Sequence, residues 1–268
     1  MVLARTSLLG QISGASGNYG TSTFTSTAFT PPADSLLVAC VSAIENGGSD
    51  SLLPDLTIAG GDLAYSLRAS AGVSAGFTAA TAIYTAPVFL NEEMTIVLDC
   101  GARSIGIYSI SVLAYTGHDL TDPIGETATG QQSGGFTGPP TPISLTLSST
   151  PAGTSEIVAA AGVCKSPSAG VTPGSGWDEL HEVHNTDWGG LQTQVKTNPD
   201  STTVPWADLR SGGGAVFNYA AAAVEVLISS DTVIAIGAGP PLMSSSSAFR
   251  SSSSSGGFRA VSSSGGAR

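Results

Sequence analysis

Charge is scarce in this 268-residue chain: Asp, Glu, Lys and Arg make up 11% of it, against about 25% in an average globular protein. Lysine is nearly absent, with Lys165 and Lys196 the only two. The net charge is −11, so the chain lacks the basic face that displaces counterions from phosphates, and no nucleic-acid partner is expected. Solvated helix faces need Glu, Lys and Arg, and these are in short supply. Cysteine is sparse. Cys40, Cys100 and Cys164 each sit in an apolar run without CxxC spacing, which argues against a disulfide framework or a zinc site. Buried free thiols are the expectation, and a Cys40–Cys100 bridge stays open because both fall in expected strands. Long apolar runs are missing as well. The stretch 219–228 contains Glu225 and is too short to span a bilayer, so no membrane is expected as a partner. Residues 1–14 carry one early charge, Arg5, and no apolar stretch of export-signal length. A soluble protein made in a cytoplasm is expected, of the kind carried by a particle that lysis releases.

What is abundant is Thr, Val, Ile, Ala, Ser, Gly and Pro. Gly, Pro, Asn and Asp punctuate the chain roughly every 8 to 15 residues, the rhythm of a sandwich or barrel. Strands are expected over 22–29, 35–43, 56–58, 63–69, 78–85, 94–99 and 105–115. After a Gly/Pro-rich connector they resume over 143–147, 156–164, 177–183, 191–196, 202–206 and 216–227. The run Ile107-Tyr-Ser-Ile-Ser-Val-Leu-Ala-Tyr115 alternates in part, as a sheet with one buried face does. Tyr219-Ala-Ala-Ala-Ala-Val-Glu-Val has helical propensity, but its place in an internal repeat makes it a strand.

That repeat organises the chain. Thr30-Pro-Pro-Ala-Asp-Ser-Leu-Leu-Val-Ala-Cys in the first half is answered by Ser149-Thr-Pro-Ala-Gly-Thr-Ser-Glu-Ile-Val-Ala in the second. The run 107–115 is answered by 217–227. The expected organisation is an N-terminal arm or first strand over 1–20, then a pseudo-duplicated β-sandwich over 21–239 with halves 21–117 and 141–228. A Ser/Gly/Arg-rich tail over 240–268 follows. The segment 115–124 joins the halves. Each half alone would expose an apolar sheet face, which favours packing them into one sandwich of roughly ten to twelve strands. Two separate small sandwiches are the alternative.

No constellation of catalytic residues stands out. His181-Glu-Val-His184 with Asp187 has the wrong spacing for a helical zinc pair, and residues three apart on a strand face opposite ways. Glu92 and Glu93 are adjacent and would diverge on a strand, a poor glycosidase pair. His118 lies in the turn-like Gly117-His-Asp119. There is no Gly-x-Ser-x-Gly elbow and no phosphate-binding loop. Neither an enzymatic activity nor a metal or other cofactor is expected.

Two groups of residues are candidates for contact. Trp188, Trp206 and Tyr65 are candidates for an exposed aromatic surface of the kind that meets sugar rings or protein hot spots, whereas Trp177 is expected in the core. In the tail, 12 of the 25 residues from Ser244 to Arg268 are Ser, too few apolar groups to offset the entropy of ordering. Met243, Phe249, Arg250, Phe258 and Arg259 punctuate it like anchors. Its three arginines and lack of acids leave −14 on the rest of the chain, given −11 overall. A basic assembly arm on an acidic neighbour is one reading, and a flexible linker is the other.

The phrases Phe29-Thr-Pro-Pro-Ala-Asp-Ser-Leu-Leu-Val, Tyr115-Thr-Gly-His-Asp-Leu-Thr-Asp-Pro-Ile and Thr172-Pro-Gly-Ser-Gly-Trp-Asp-Glu-Leu resemble jelly-roll-like β-sandwich modules of tailed-bacteriophage structural proteins and some bacterial surface proteins. The resemblance covers residues 20 to 230 and rests on short motifs. It implies a virion protein assembled in a host cytoplasm: a capsid decoration protein, head fibre or tail-associated fibre. Its partners would be other virion proteins and copies of itself. A receptor-binding module for a host surface glycan is the alternative. The resemblance carries no catalytic residues, and the tail lies outside it.

Overall fold

The computed structural model describes residues 2–13, 22–46, 52, 55–74, 77–133, 142–164, 171–185, 189–207 and 218–229. The first half holds β1 (Ala4–Ser13), β2 (Thr23–Thr25), β3 (Ser35–Asn46), β4 (Thr57–Ala59), β5 (Ser66–Ser74), β6 (Phe77–Val88), β7 (Val97–Asp99) and β8 (Ile105–Thr116). The second holds β9 (Ile124–Gln132), β10 (Ser144–Thr146), β11 (Glu156–Cys164), β12 (Asp178–Asn185), β13 (Gly189–Thr197), β14 (Thr203–Pro205) and β15 (Asn218–Val226). All strand pairings are antiparallel. The fold is all-β, as the composition requires.

The two halves follow one path. In the first, β1 pairs with β8, β2 with β7 and β3 with β6, giving a five-stranded sheet β1-β8-β3-β6-β5 and a small sheet β2-β7-β4. First with last, second with next-to-last and so on inward is the wrapping of a jelly roll, here with β5 added beside β6. The second half repeats it as β9-β15-β11-β13-β12 and β10-β14. A bridge from Pro173 to Trp206 stands where β4 pairs with β7. Local details repeat too. The Ser35 hydroxyl donates to the Pro32 carbonyl at 2.7 Å, and the Ser155 hydroxyl to the Ala152 carbonyl at 2.6 Å. Each half begins with a strand, β1 and β9, that the expected boundaries at 21 and 141 leave out.

Each five-stranded sheet is covered on both faces, which explains the near-continuous apolar runs of its central strands. In β3, Leu37, Ala39, Val41 and Ala43 face the small sheet with Ile96, Leu98 and Cys100. The alternate residues Leu36, Val38, Cys40 and Ile44 face the other half. In β11, Ile157, Ala159, Ala161 and Val163 face their own small sheet, and Val158, Ala160 and Cys164 face the first half. Each half is therefore a sandwich with its own core, and the two sandwiches are joined through their large sheets. The one-sandwich expectation gives way to four β layers. Ala220 to Ala223 are buried on both sides within β15, so tertiary burial overrides alanine's helical preference.

The cysteines are free and buried. Cys40, on β3 of the large sheet, faces the other half, and Cys100, just after β7, sits in the first half's own core on the other side of that sheet. That separation rules out the Cys40–Cys100 bridge.

All four outermost strands of the large sheets carry a register shift against their neighbour. The shifts fall between Ser7 and Leu9 in β1, Leu67 and Ala69 in β5, and Glu179 and His181 in β12. In the β15–β9 pair the shift lies between Val224 and Val226. Such bulges twist an edge away from pairing with another sheet.

Candidate functional site

Three places combine polar chemistry with a cavity or exposure. The first is the seam between the halves. The Arg5 guanidinium on β1 meets the Glu156 carboxylate on β11 at 3.1 Å. The Tyr115 hydroxyl on β8 donates to the same oxygen, and the Thr197 hydroxyl donates to the other at 2.8 Å. Glu156 is 4% exposed, and its three polar partners stand in for the water it loses on burial. Burial, reinforced by the Glu156 charge, pushes the Tyr115 phenol well above its ordinary value. A cleft of about 330 Å³ opens beside this cluster, lined also by Val2, Leu3, Thr154 and Asn198.

Further polar links cross the same seam. The Thr81 hydroxyl donates to the Ala220 carbonyl at 3.1 Å and exchanges a hydrogen bond with Ser42 at 2.9 Å. Ser111 and His181 Nδ1 lie 2.8 Å apart. The His181 ring occupies the space a side chain on Gly10 would need. Burial holds His181 below the ordinary histidine value. Ser111 is wholly buried and His181 partly so, and the pair pins the two sheets together.

The second place is a cleft of about 340 Å³ between the turn after β4 and the turn after β6. Phe89 and Leu90 stand at its rim, 71% and 64% exposed, with Leu63, Val88 and Met94 inside. Asp62, Glu92 and Glu93 border it, and none of the three forms an ion pair among the described residues. Glu92 and Glu93 lie in a loop rather than on a strand.

The third is the corresponding cleft of the second half, about 160 Å³, where Trp177, Lys196, Asp200, Ser175 and Ser201 meet. Trp177 is half-buried against the core.

Of the expected aromatic surface, the two members among the described residues, Trp206 and Tyr65, do not form an exposed platform. Trp206 is 1% exposed, and its indole N–H donates to the Gln192 side chain at 2.7 Å. It follows directly after β14, which lies over the core face of the large sheet, so the ring turns inward. Tyr65 is half-buried against the first core, its hydroxyl enclosed without a hydrogen-bond partner among the described residues. Burial raises that phenol to about 12. Trp188, Met243, Phe249, Arg250, Phe258 and Arg259 lie outside the described residues. Arg5, Tyr115 and Glu156 escaped sequence reasoning because 151 positions separate Arg5 from Glu156. Phe89 and Leu90 did carry a signal: an apolar pair directly before Asn91-Glu-Glu.

Of the three histidines, His118 is buried, with Nδ1 3.0 Å from the Tyr115 carbonyl. His184 has an enclosed Nε2 without a partner among the described residues. Among the described residues no group of three or more His, Cys, Asp or Glu is placed to hold a metal ion, and no helix is long and apolar enough to cross a membrane.

No protein-family model, curated protein or solved structure matches the chain.

Proposed function

We propose that the chain is a non-enzymatic structural protein of a tailed-phage virion, a decoration or fibre component that assembles through protein–protein contacts. The observation that carries this reading is the doubled jelly-roll path with both faces of each large sheet covered and its edges bulged. Such a body has little use for its sheets as binding surfaces. It offers loop ends to partners, on a rigid scaffold. The acidic body and the basic, Phe-punctuated tail are complementary in charge, which favours contact between copies. The low-charge composition and the resemblance of residues 20 to 230 to phage modules point the same way.

The test is antibody labelling of phage particles released from cells that carry this gene. Label at a fixed position on head or tail is the expected result. Unlabelled particles, with the chain left in the particle-free lysate, overturn the reading.

A second reading, a glycan-binding module, is favoured by one observation. Trp177 shares a cleft with Lys196, Asp200 and Ser201, an aromatic face beside hydrogen-bonding groups of the kind that takes a sugar ring. Glycan-array binding that Trp177→Ala abolishes while the fold survives supports it, and an array without hits removes it.

A further inference from the structure

We infer that the apolar cleft behind Phe89 and Leu90 is the docking site for the Phe–Arg stations of a second copy's C-terminal tail. The inference rests on the assembly reading above and names its contact.

Two large apolar side chains standing side by side in water are costly unless something covers them. Here they rim a cleft of about 340 Å³, wide enough for an aromatic ring. The border is of one sign: Asp62, Glu92 and Glu93, with no cation paired to them among the described residues. A matching occupant has an aromatic group directly beside a guanidinium and carries no acid. The tail has that pattern twice, as Phe249-Arg250 and Phe258-Arg259, with no Asp or Glu from Ser244 onward. Ser and Gly between the stations add no bulk, and a planar guanidinium suits bidentate contact with a carboxylate.

The second half supplies the counter-example. Its corresponding cleft is smaller and holds Lys196 beside Asp200. A lysine at the rim repels an incoming arginine, so the two clefts are not interchangeable. The tail carries two stations, and the acid-bordered cleft of the first half fits either. Phe258 lies nine positions after Phe249, a reach of about 30 Å when extended.

The experiment uses the full chain throughout and reads mass by light scattering. Glu92→Lys with Glu93→Lys removes the site, and Arg250→Glu with Arg259→Glu removes the stations. Each variant should lose at least about tenfold in self-association and approach the 26.6 kDa of one chain. An equimolar mixture of the two should regain a two-chain species, because one supplies the site-free tail and the other the intact site. Phe89→Ser with Leu90→Ser should weaken association similarly while circular dichroism stays unchanged.

Unchanged mass in the Glu92/Glu93 and Phe89/Leu90 variants overturns the docking site and leaves the assembly reading standing. Loss in both charge variants without recovery in the mixture shows that cleft and stations do not meet across copies, and overturns the second-copy occupant. Intact, charge-dependent self-association in a chain absent from phage particles keeps the docking site and removes the virion reading.

Discussion

The Tyr115 hydroxyl, at the end of the first half's last strand, donates to the carboxylate of Glu156 in the second half. Arg5, from the first strand of the first half, reaches the same oxygen. One buried carboxylate thus holds both ends of the first jelly roll against the second.

Glu156→Ala should therefore be far more damaging than an ordinary strand substitution. It strands Arg5, Tyr115 and Thr197 without their acceptor, and breaking a buried pair costs about 3–5 kcal/mol. Tyr115→Phe removes one hydrogen bond and should cost about 1–3 kcal/mol. Denaturant unfolding of both single variants and the double variant measures the coupling. Additive losses would show that the two groups act independently.

Trp206→Ala should destabilise the chain by about 3–5 kcal/mol, the range for a buried large aromatic. It also leaves the Gln192 carbonyl without its indole partner. Thermal unfolding checks this. A variant with unchanged stability would contradict the buried position.

Acidification should weaken the fold beginning near the ordinary histidine range. Burial lowers His118 and His181 below their unfolded value, so the unfolded chain takes up protons first as pH falls. Their contribution is complete above about pH 6.5 and is lost as pH drops from there through the folded values. Glu182 acts oppositely, because burial and then Glu179 raise its carboxyl. Its contribution is full below its unfolded value and fades as pH rises through the folded one. His181→Asn should flatten the acid-side fall in stability, and Glu182→Gln should steepen it. Unfolding free energies between pH 4.5 and 7, within about half a unit, decide both.

The thiols should be silent in the folded protein. Burial raises Cys40 and Cys100 to about 12 and Cys164 further, and the thiolate is the reactive form. A thiol reagent at neutral pH should modify none of the three before denaturant and all of them after. Rapid modification of the native chain would contradict their burial.

Much of this architecture can be read from residue patterns alone. The strand β11 has the bounds expected from its apolar run, and the match of 30–40 to 149–159 marks two equivalent third strands. The first strands were harder. In β9, only Ile124 and Ala128 are buried, since an edge strand with one covered face needs few apolar residues, and Gly125 and Gly130 resemble turn signals. The joining of two sandwiches was hidden for a different reason. Burial on both faces erases the alternation that tells inside from outside, so β3 and β11 do not reveal which layer lies against which. Trp206 misled because its indole needs a polar partner, and a surface position satisfies that need as well as Gln192 does.

Assembly through the tail is tested most directly by the mass of the purified chain in solution. The full chain and a version ending at Gly239 are compared at the same concentration. Several copies per particle are expected for the full chain and a single copy for the shortened one. A full chain that stays monomeric, or a shortened chain that assembles equally well, contradicts it.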